Sequence, residues 1–189
     1  MVEKLVSIYI NAYNEEKFIS DTIKSVLDQT YKNFEIIIVN DCSTDKTLEI
    51  IKSFDDPRIK IYNNDINMNI PYSCNKGICF ANGEYIAHID ADDIWYPSKL
   101  EKQISFLESN PEYGACFTWS DVVDAEGNPA NDLYPAVKSV YEIKNMPQAE
   151  MFRYLIDNSN HFSHSAFAAR TETVKKMGIH DVSTLFLHD

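Results

Sequence analysis

The sequence has 189 residues, of which 44% are hydrophobic and 12% aromatic, so it can bury one substantial core and is not disordered throughout. Its 29 acidic and 17 basic residues give a net charge of −12. That charge excludes a general nucleic-acid binder, which needs a basic face, but not a small anionic substrate, since a bound divalent cation inverts the local field.

The four cysteines show neither a C-x-x-C pair nor a histidine at zinc spacing, which predicts free, buried thiols in a reducing compartment. They are Cys42, Cys74, Cys79 and Cys116. The N-terminal segment lacks the apolar core and cleavage site of a signal peptide, and no run approaches the ~20 apolar residues of a transmembrane helix. We therefore expect a soluble cytoplasmic chain, or the soluble part of a larger protein.

The first predicted elements are strands and helices in alternation. Leu5 to Ile10 is a short β-branched run that predicts a buried strand, and apolar residues at helical spacing then predict an amphipathic helix capped by Asn14. The apolar run FEIIIVN, residues 34–40, predicts a strand covered on both faces. A second helix ends at Pro57, and residues 59–62 predict a third strand.

The alternation continues after an asparagine-rich loop. A helix is predicted from Pro71 to Ala81, with Gly83 just past its end as the residue that stops it. Residues 84–89 predict a fourth strand. Ser98 and Glu101 have the spacing of a capping box at the start of the next helix.

A fifth strand is predicted at residues 114–119, and beyond Ser120 the rhythm breaks. Helices predicted at 149–156 and 171–177 flank a segment rich in His, Ser and Asn, NSNHFSHS. The alternation predicts βαβ crossovers and an α/β domain whose mostly parallel sheet is flanked by helices. Within this single domain, residues 1–120 form a nucleotide-type half and residues 121–189 an appended half.

Polar residues follow three of the predicted strands. They are N-A-Y-N-E at 11–15, N-D-C-S at 40–43 and D-A-D-D at 90–93. Ligands of parallel sheets bind at the carboxyl ends of the strands, and these ends lie along one edge. Each motif alone is common in acidic turns, but together they predict one binding site.

Asp90 and Asp92 lie two positions apart, so the alternation of a strand sends both carboxylates the same way. Such a pair suits Mg²⁺ or Mn²⁺, completed by water and phosphate. A solvated turn, with Asp93 at a helix start, is an alternative. A calcium loop is disfavoured because Ile94 and Trp95 replace an oxygen ligand and the turn glycine. Since no glycine-rich phosphate loop is present, bound phosphates would need a metal.

Three blocks of sequence resemble the family 2 glycosyltransferases with the GT-A fold. The blocks are VSIYINAYNE, FEIIIVNDCSTDKT and NKGICFANGEYIAHIDADD, within about residues 4 to 110. The resemblance implies a GT-A-type, Rossmann-like domain. It also implies an inverting, metal-dependent transfer from a nucleoside-diphosphate sugar, most of all a UDP-sugar, to a hydroxyl of a glycan or lipid-linked saccharide.

The resemblance also implies the donor-binding residues. Tyr13 would stack against the base, Asn11 and Glu15 would line the pocket, Asp41 would hydrogen-bond the base, and Asn75 would contact the donor. For Tyr13 the alternative is a surface aromatic residue. For Asp41 it is an Asx-turn, in which the side chain bonds its own backbone.

In the matching D-x-D, Asp92 would be the metal ligand, with Asp90 beside the ribose or the metal. Asp93 would face the donor sugar or support the loop. Asp189 matches the Asp expected to deprotonate the acceptor hydroxyl, although His188 stands where Glu is common. His161 and His164 are further candidates for contacts to the acceptor or diphosphate.

The chain stops before the final helix and acceptor-binding loop usual in the family, so we expect its second half to be truncated. The resemblance allows peripheral association with the inner face of a membrane through a missing part or a partner. Two alternatives stay open. One is a non-catalytic nucleotide-sugar-binding domain. The other is a sugar nucleotidyltransferase, disfavoured because NAYNEE is acidic where a glycine-rich basic loop is needed.

Overall fold

The structure is a computed structural model that describes residues 3–140, 146–147, 150–151, 153–154, 157, 162–178 and 180. Strands and helices alternate along most of this length. They are β1 (Val6–Ala12), α1 (Ile19–Leu27), β2 (Phe34–Asn40), α2 (Thr47–Lys52), β3 (Ile59–Asn63), α3 (Asn69–Phe80), β4 (Tyr85–Asp90), α4 (Lys99–Ser109), β5 (Ala115–Phe117), α5 (Pro135–Val140), a 3₁₀ turn (His164–Ala166), β6 (Phe167–Arg170) and α6 (Thr171–Met177).

Six strands form one sheet in the order β3-β2-β1-β4-β6-β5. Strands β1 to β4 are parallel, whereas β6 is antiparallel to both β4 and β5. The predicted α/β class and mostly parallel sheet are therefore confirmed. The sequence did not predict β6, which comes from beyond Ser120 and lies between two strands of the first half. Both parts of the chain thus share one sheet.

Alternate residues of the central strands pack on opposite faces of the sheet. Ile8 and Ile36 belong to the larger core, which α1, α2 and α4 cover, and Tyr9 and Ile37 belong to a smaller core under α3. Every residue of β2 is buried, as its uninterrupted apolar run predicts. Each fully buried isoleucine contributes about 1.5–3 kcal/mol of hydrophobic free energy.

The start of α1 differs from the prediction. Asn14 does not cap the helix, which begins at Ile19. Instead Asn14 adopts a left-handed conformation with φ 59°, which asparagine tolerates better than most residues. Its side-chain oxygen accepts a hydrogen bond of 2.8 Å from the backbone nitrogen of Thr44. The residue therefore joins two loops rather than starting a helix.

The predicted capping box before α4 is also wrong. Ser98 occupies the N-cap position but makes no side-chain cap hydrogen bond. The carboxylate of Glu101 instead accepts a bond of 2.7 Å from the hydroxyl of Thr30. The predicted inner face of the helix is confirmed, because Leu100, with Ile104 and Leu107, is buried.

Gly83 has a different role from the predicted helix stop. The φ angle of Gly83 lies outside the left-handed region. Among the described glycines, Gly127 and Gly178 have a positive φ. A Cβ atom on Gly83 would lie 2.6 Å from both the Leu5 oxygen and the Ser7 nitrogen. Glycine is therefore required here because the chain passes directly against the β1 backbone.

Smaller features follow the predictions in part. All four cysteines are free, but only Cys74 among them is buried and Cys79 is exposed. The helix predicted at 171–177 is confirmed as α6, whereas the one predicted at 149–156 lies partly outside the described residues. In the described part of the chain, none of the helices is both long and apolar enough to cross a membrane.

Candidate functional site

The ends of β1, β2 and β4 meet at one edge of the sheet, as predicted. Asn11 on β1 is in register with Asp90 on β4, and Ala12 is in register with Asn40 on β2. The three polar loops that follow these strands therefore leave the sheet side by side. This is the edge at which parallel sheets bind their ligands.

The loop after β1 and the loop after β2 are joined by five bonds between side chains and backbone nitrogens. They run from Asn14 N to Ser43 Oγ (3.1 Å), from Thr44 N to Asn14 Oδ1 (2.8 Å), from Glu15 N to Thr47 Oγ1 (2.7 Å), from Glu16 N to Asp45 Oδ2 (3.1 Å) and from Lys46 N to Glu16 Oε2 (3.0 Å). Tyr13 emerges from the first loop with 46% of its surface exposed. Its ring is therefore accessible at the rim of the site.

Asp41 is buried and is held by the segment that follows β3. Its Oδ1 accepts hydrogen bonds from Asn64 Nδ2 (2.7 Å) and from the backbone nitrogen of Met68 (2.8 Å). These partners are distant in sequence, whereas the side chain in an Asx-turn bonds its own local backbone. Asp41 is therefore held by tertiary contacts. A cavity of about 200 Å³ adjoins this cluster. It is lined by Asn63, Asn64, Asp65, Ile66, Met68, Tyr72 and Lys76.

The two predicted donor-binding asparagines contact other parts of the chain. The side-chain nitrogen of Asn11 lies 2.8 Å from the sulfur of Cys74, and its buried Oδ1 has no hydrogen-bond partner among the described residues. Asn75 donates to the backbone oxygen of His180 and accepts from its nitrogen, both at 2.8 Å. Burial raises the pKa of the Cys74 thiol to about 12, so it is neutral.

Asp90 is held from two elements. Its Oδ1 lies 2.9 Å from Nε2 of His88 on the same strand, and its Oδ2 lies 3.8 Å from Nδ1 of His164. Its backbone nitrogen donates to the hydroxyl of Ser165 at 2.9 Å. The 3₁₀ turn before β6 thus packs against the acidic motif and brings His164 to it. His161 lies outside the described residues.

Two carboxyl groups near Asp90, those of Asp93 and Glu15, have pKa values above their ordinary value. Burial raises the pKa of Asp93, and the charges of Asp90 and Asp92 add to this, while a hydrogen bond with Ser165 opposes it. Burial likewise raises the pKa of Glu15, with Asp92 the next contributor. Negative charge is therefore concentrated at this rim, and a bound cation would relieve the repulsion.

A divalent cation fits this rim only if other ligands complete its shell. In the part of the chain that the structure describes, no three His, Cys, Asp or Glu side chains form a group that could hold a metal. The exposed Asp92 and the Oδ2 atom of Asp90 offer hard carboxylate oxygens. Mg²⁺ and Mn²⁺ suit this donor type, and Mg²⁺ in particular is held by one or two carboxylates together with water and substrate phosphates.

A buried indole supports the acidic loop from below. Trp95 donates from Nε1 to the backbone oxygen of Ser165 at 2.8 Å. The Lys99 nitrogen lies 3.9 Å from the Trp95 ring centroid and 2.7 Å from Oε1 of Gln103. Burial lowers the pKa of Lys99 to about 7. The indole next to the aspartates therefore anchors the turn that holds Asp90.

A larger cavity of about 390 Å³ lies at the opposite end of the strands. Its lining includes Lys4, Glu84, Arg170 and Glu172, so charges of both signs meet there. Arg170 already donates to the backbone oxygens of two other segments, those of Tyr113 and Leu107. These groups stabilise the fold, and the cavity is remote from the acidic rim.

Sequence reasoning missed three residues that hold the predicted ones in place. They are His88, Asn64 and Ser165. His88 could have been found, because it lies two positions before Asp90 and so projects from the same face of the strand. Asn64 and Ser165 are distant in sequence from their partners. The predicted base, Asp189, lies outside the described residues.

This sheet, with its acidic edge, is that of a GT-A-type, Rossmann-like glycosyltransferase domain. The family model of Glycosyl transferase family 2 matches residues 7–178, and the chain belongs to that family. The chain spans about half the length of the curated relatives it matches.

Three relatives illustrate the similarity. The Escherichia coli UDP-Glc:alpha-D-GlcNAc-diphosphoundecaprenol beta-1,3-glucosyltransferase WfgD is 42% identical over 110 residues, which are 58% of this chain and 44% of WfgD. S. aureus TarS 1-349 in complex with UDP has a TM-score of 0.72 at 20% identity, covering 97% of this chain and 52% of that one. The mannosyltransferase PcManGT from Pyrobaculum calidifontis in complex with GDP-Man and Mn²⁺ has a TM-score of 0.69 at 18% identity, covering 97% and 49%. The two structures establish the shared fold.

Proposed function

We propose that this chain is the donor-binding part of a glycosyltransferase that moves a sugar from a nucleoside-diphosphate sugar to a hydroxyl of a glycan or lipid-linked saccharide. The observation that carries the proposal is the meeting of the Asp41 cluster with Asp90 and Asp92 at one sheet edge. The similarity to WfgD, whose name states a UDP-glucose donor and a lipid-linked acceptor, supports a UDP-sugar and a role in polysaccharide assembly.

The nucleoside would bind between the first two loops and the cavity beside Asn64. Asp41 would accept a hydrogen bond from an N–H group of the base, because a carboxylate is an acceptor and its orientation here is fixed by two donors. The exposed ring of Tyr13 would stack on the base. Asn11, Glu15 and Asn75 would line the pocket, and Asp93 would face the sugar.

A divalent cation, Mn²⁺ or Mg²⁺, would be held by Asp92 and Asp90. When bound, the ion supplies charge stabilisation to the leaving diphosphate. Two features support a requirement for this cation. The rim is strongly acidic and would repel an unscreened diphosphate, and no glycine-rich loop is present to bind phosphates. The complex of PcManGT contains Mn²⁺.

The chain's own part in the reaction is to orient the donor and to remove one proton. Asp189 would take the proton of the acceptor hydroxyl, which is worth 10²–10⁴-fold in rate for a well-placed base. The acceptor oxygen then bonds to the anomeric carbon as the bond to the diphosphate breaks on the opposite side, which inverts the centre. Residues 1–120 would bind the donor and residues 121–189 would face the acceptor. A lipid-linked acceptor would place the reaction at the cytoplasmic face of a membrane.

A thermal-shift panel tests the proposal. UDP, GDP, CDP and dTDP are each added with and without Mn²⁺. We expect one of them, UDP first, to raise the unfolding temperature by several degrees only when Mn²⁺ is present. No shift with any pair would contradict the proposal. Hydrolysis of the matching sugar donor then separates an enzyme from a non-catalytic binding domain, which binds the nucleotide without turnover.

A further inference from the structure

His88 is a buried histidine directly beneath the acidic motif. It lies two residues before Asp90 on β4 and is in register with Tyr9 of β1. Its ring packs on the ring of Tyr9, with the centroids 4.4 Å apart and the planes at 31°. The ring is therefore confined by its neighbours and cannot turn freely.

Both ring nitrogens of His88 face oxygen acceptors. Nε2 lies 2.9 Å from Oδ1 of Asp90, and because an ionised carboxylate can only accept, the imidazole is the donor in this bond. Nδ1 lies 3.2 Å from the backbone oxygen of Tyr9. The bond to Asp90 and the packing against the Tyr9 ring together fix the orientation of the imidazole, and with it the direction of the Nε2–H bond.

The contact between the two side chains runs from the interior to the rim. The side chain of His88 is 6% exposed, whereas that of Asp90 is 40% exposed. His164 approaches the other carboxylate oxygen, at 3.8 Å from Oδ2, and is itself 36% exposed. One oxygen of Asp90, Oδ1, is therefore bonded to a rigid buried group, while the other, Oδ2, faces the half-exposed His164.

We propose that His88 is a positioning residue that holds the Asp90 carboxylate with Oδ1 turned inward and Oδ2 presented to the cation and diphosphate. The inference rests on the proposed function of the same site. Without this bond, the Asp90 side chain would lose the restraint that fixes Oδ1, and repulsion by Asp92 and Asp93 would favour other orientations of the carboxylate. Partners that orient a ligating carboxylate typically change metal affinity by about 10–100-fold when they are removed.

Two substitutions separate the contact of His88 with Asp90 from its contact with the Tyr9 oxygen. In His88→Gln the amide nitrogen replaces Nε2 and keeps a donor to Asp90. In His88→Asn the shorter side chain places its nitrogen near the position of Nδ1, beside the Tyr9 oxygen, and supplies no donor to Asp90. If His88 merely fills space, the two variants should show the same Mn²⁺ dependence. If His88 positions Asp90, His88→Gln alone of the two should keep the wild-type dependence.

The measurement is the Mn²⁺ concentration that gives half of the thermal stabilisation by saturating UDP, or by whichever diphosphate the panel selects. We expect His88→Asn to raise this concentration about tenfold or more, and His88→Gln to remain near wild type. If His88→Asn does not fold, His88→Met replaces it, because it fills the space without a donor.

The outcomes distinguish two failures. A wild-type protein that shows no Mn²⁺-dependent shift would overturn the proposed function, and this inference with it. A wild-type shift with the same Mn²⁺ dependence in His88→Asn, even if that variant unfolds at a lower temperature without ligand, would overturn the positioning role alone. Equal losses in His88→Asn and His88→Gln would also overturn it.

Discussion

The side-chain nitrogen of Asn64 donates a hydrogen bond of 2.7 Å to Oδ1 of Asp41, which joins the end of β2 to the segment after β3. Asn64 is buried, contacts the hydroxyl of Ser73 at 3.2 Å, and accepts from Lys76 at 2.6 Å. A buried carboxylate is stable only when it is hydrogen-bonded. Asn64 therefore supports the residue that we propose to read the base.

The first prediction concerns this bond. Asn64→Ala removes one of the two donors to Asp41 and should lower the free energy of unfolding by about 1–3 kcal/mol, since a buried acceptor loses its partner. Urea denaturation measures the change. Asp65→Ala, at the exposed position next to Asn64, is the control and should remain within about 0.5 kcal/mol. Equal effects of the two changes would contradict the prediction.

The second prediction tests the metal ligand. Asp92 is exposed, so Asp92→Ala should leave the unliganded unfolding temperature nearly unchanged. It should, however, abolish the Mn²⁺ dependence of the shift with nucleoside diphosphate. Asp55→Ala, at an exposed aspartate outside the acidic motif, should leave the dependence intact. The assignment of Asp92 fails if the two variants respond alike to Mn²⁺.

The third prediction uses the buried amine of Lys99. Its ordinary pKa of 10.5 holds in the unfolded chain, and burial lowers the folded value to about 7. Between these values the unfolded chain binds a proton that the folded chain does not, so this group makes the protein more stable as pH rises. From pH 7.5 to 9 the gain is about 2 kcal/mol.

Lys99→Met removes the titrating group, so the gain in stability from this residue should disappear. The measurement is the difference in unfolding free energy between wild type and variant, taken at pH 7.5 and pH 9 by urea denaturation. Other titrating groups are common to both proteins and cancel in the difference. A difference that does not change with pH would show that Lys99 keeps its ordinary pKa.

The fourth prediction concerns the close approach at Gly83. Gly83→Ala places a methyl group 2.6 Å from the Leu5 oxygen and the Ser7 nitrogen, at the start of β1, which cannot move without disturbing the sheet. We expect a loss of about 2–4 kcal/mol, larger than most single substitutions cause. Gly127→Ala is the comparison, because it has open space around the new carbon but a φ of 82°. That strain should cost about 1–2 kcal/mol. A smaller loss at Gly83 than at Gly127 would contradict the packing argument.

The fifth prediction addresses the proposed base. Asp189→Asn should lower sugar transfer by about 10²–10⁴-fold and leave the nucleotide-dependent thermal shift unchanged, because the residue is proposed to act on the acceptor alone. Transfer is measured with the donor that the nucleotide panel selects. Wild-type transfer by the variant would remove Asp189 as the base, and a lost thermal shift would place it with the donor.

Local sequence patterns predicted the parallel part of the sheet because its determinants are local. The β2 strand has the predicted bounds, since a short unbroken apolar run between polar turns is typical of a strand that is buried on both faces. The same local order placed Asp41 and Asp90 at one edge, because consecutive parallel strands end on the same side. The parallel topology thus brings three motifs, each weak alone, to one edge of the sheet.

The rest depends on contacts between distant residues. Strand β6 has four residues and gains its place by pairing with β4, about 80 residues earlier, so no local period reveals it. The predictions of the two helix caps were wrong for a related reason. The side chains of Asn14 and Glu101 each bond a residue about 30 or 70 positions away in preference to the adjacent helix. Tertiary partners overrode local capping preference at both places.

The five bonds between the loop after β1 and the loop after β2 have a consequence for protein engineering. Each loop supplies acceptors for the backbone of the other, so neither has its hydrogen bonds complete on its own. A loop transplanted alone into a related scaffold would lack the side chains that bond to its backbone. Any exchange of these segments between related proteins must therefore swap residues 13–16 and 43–47 together.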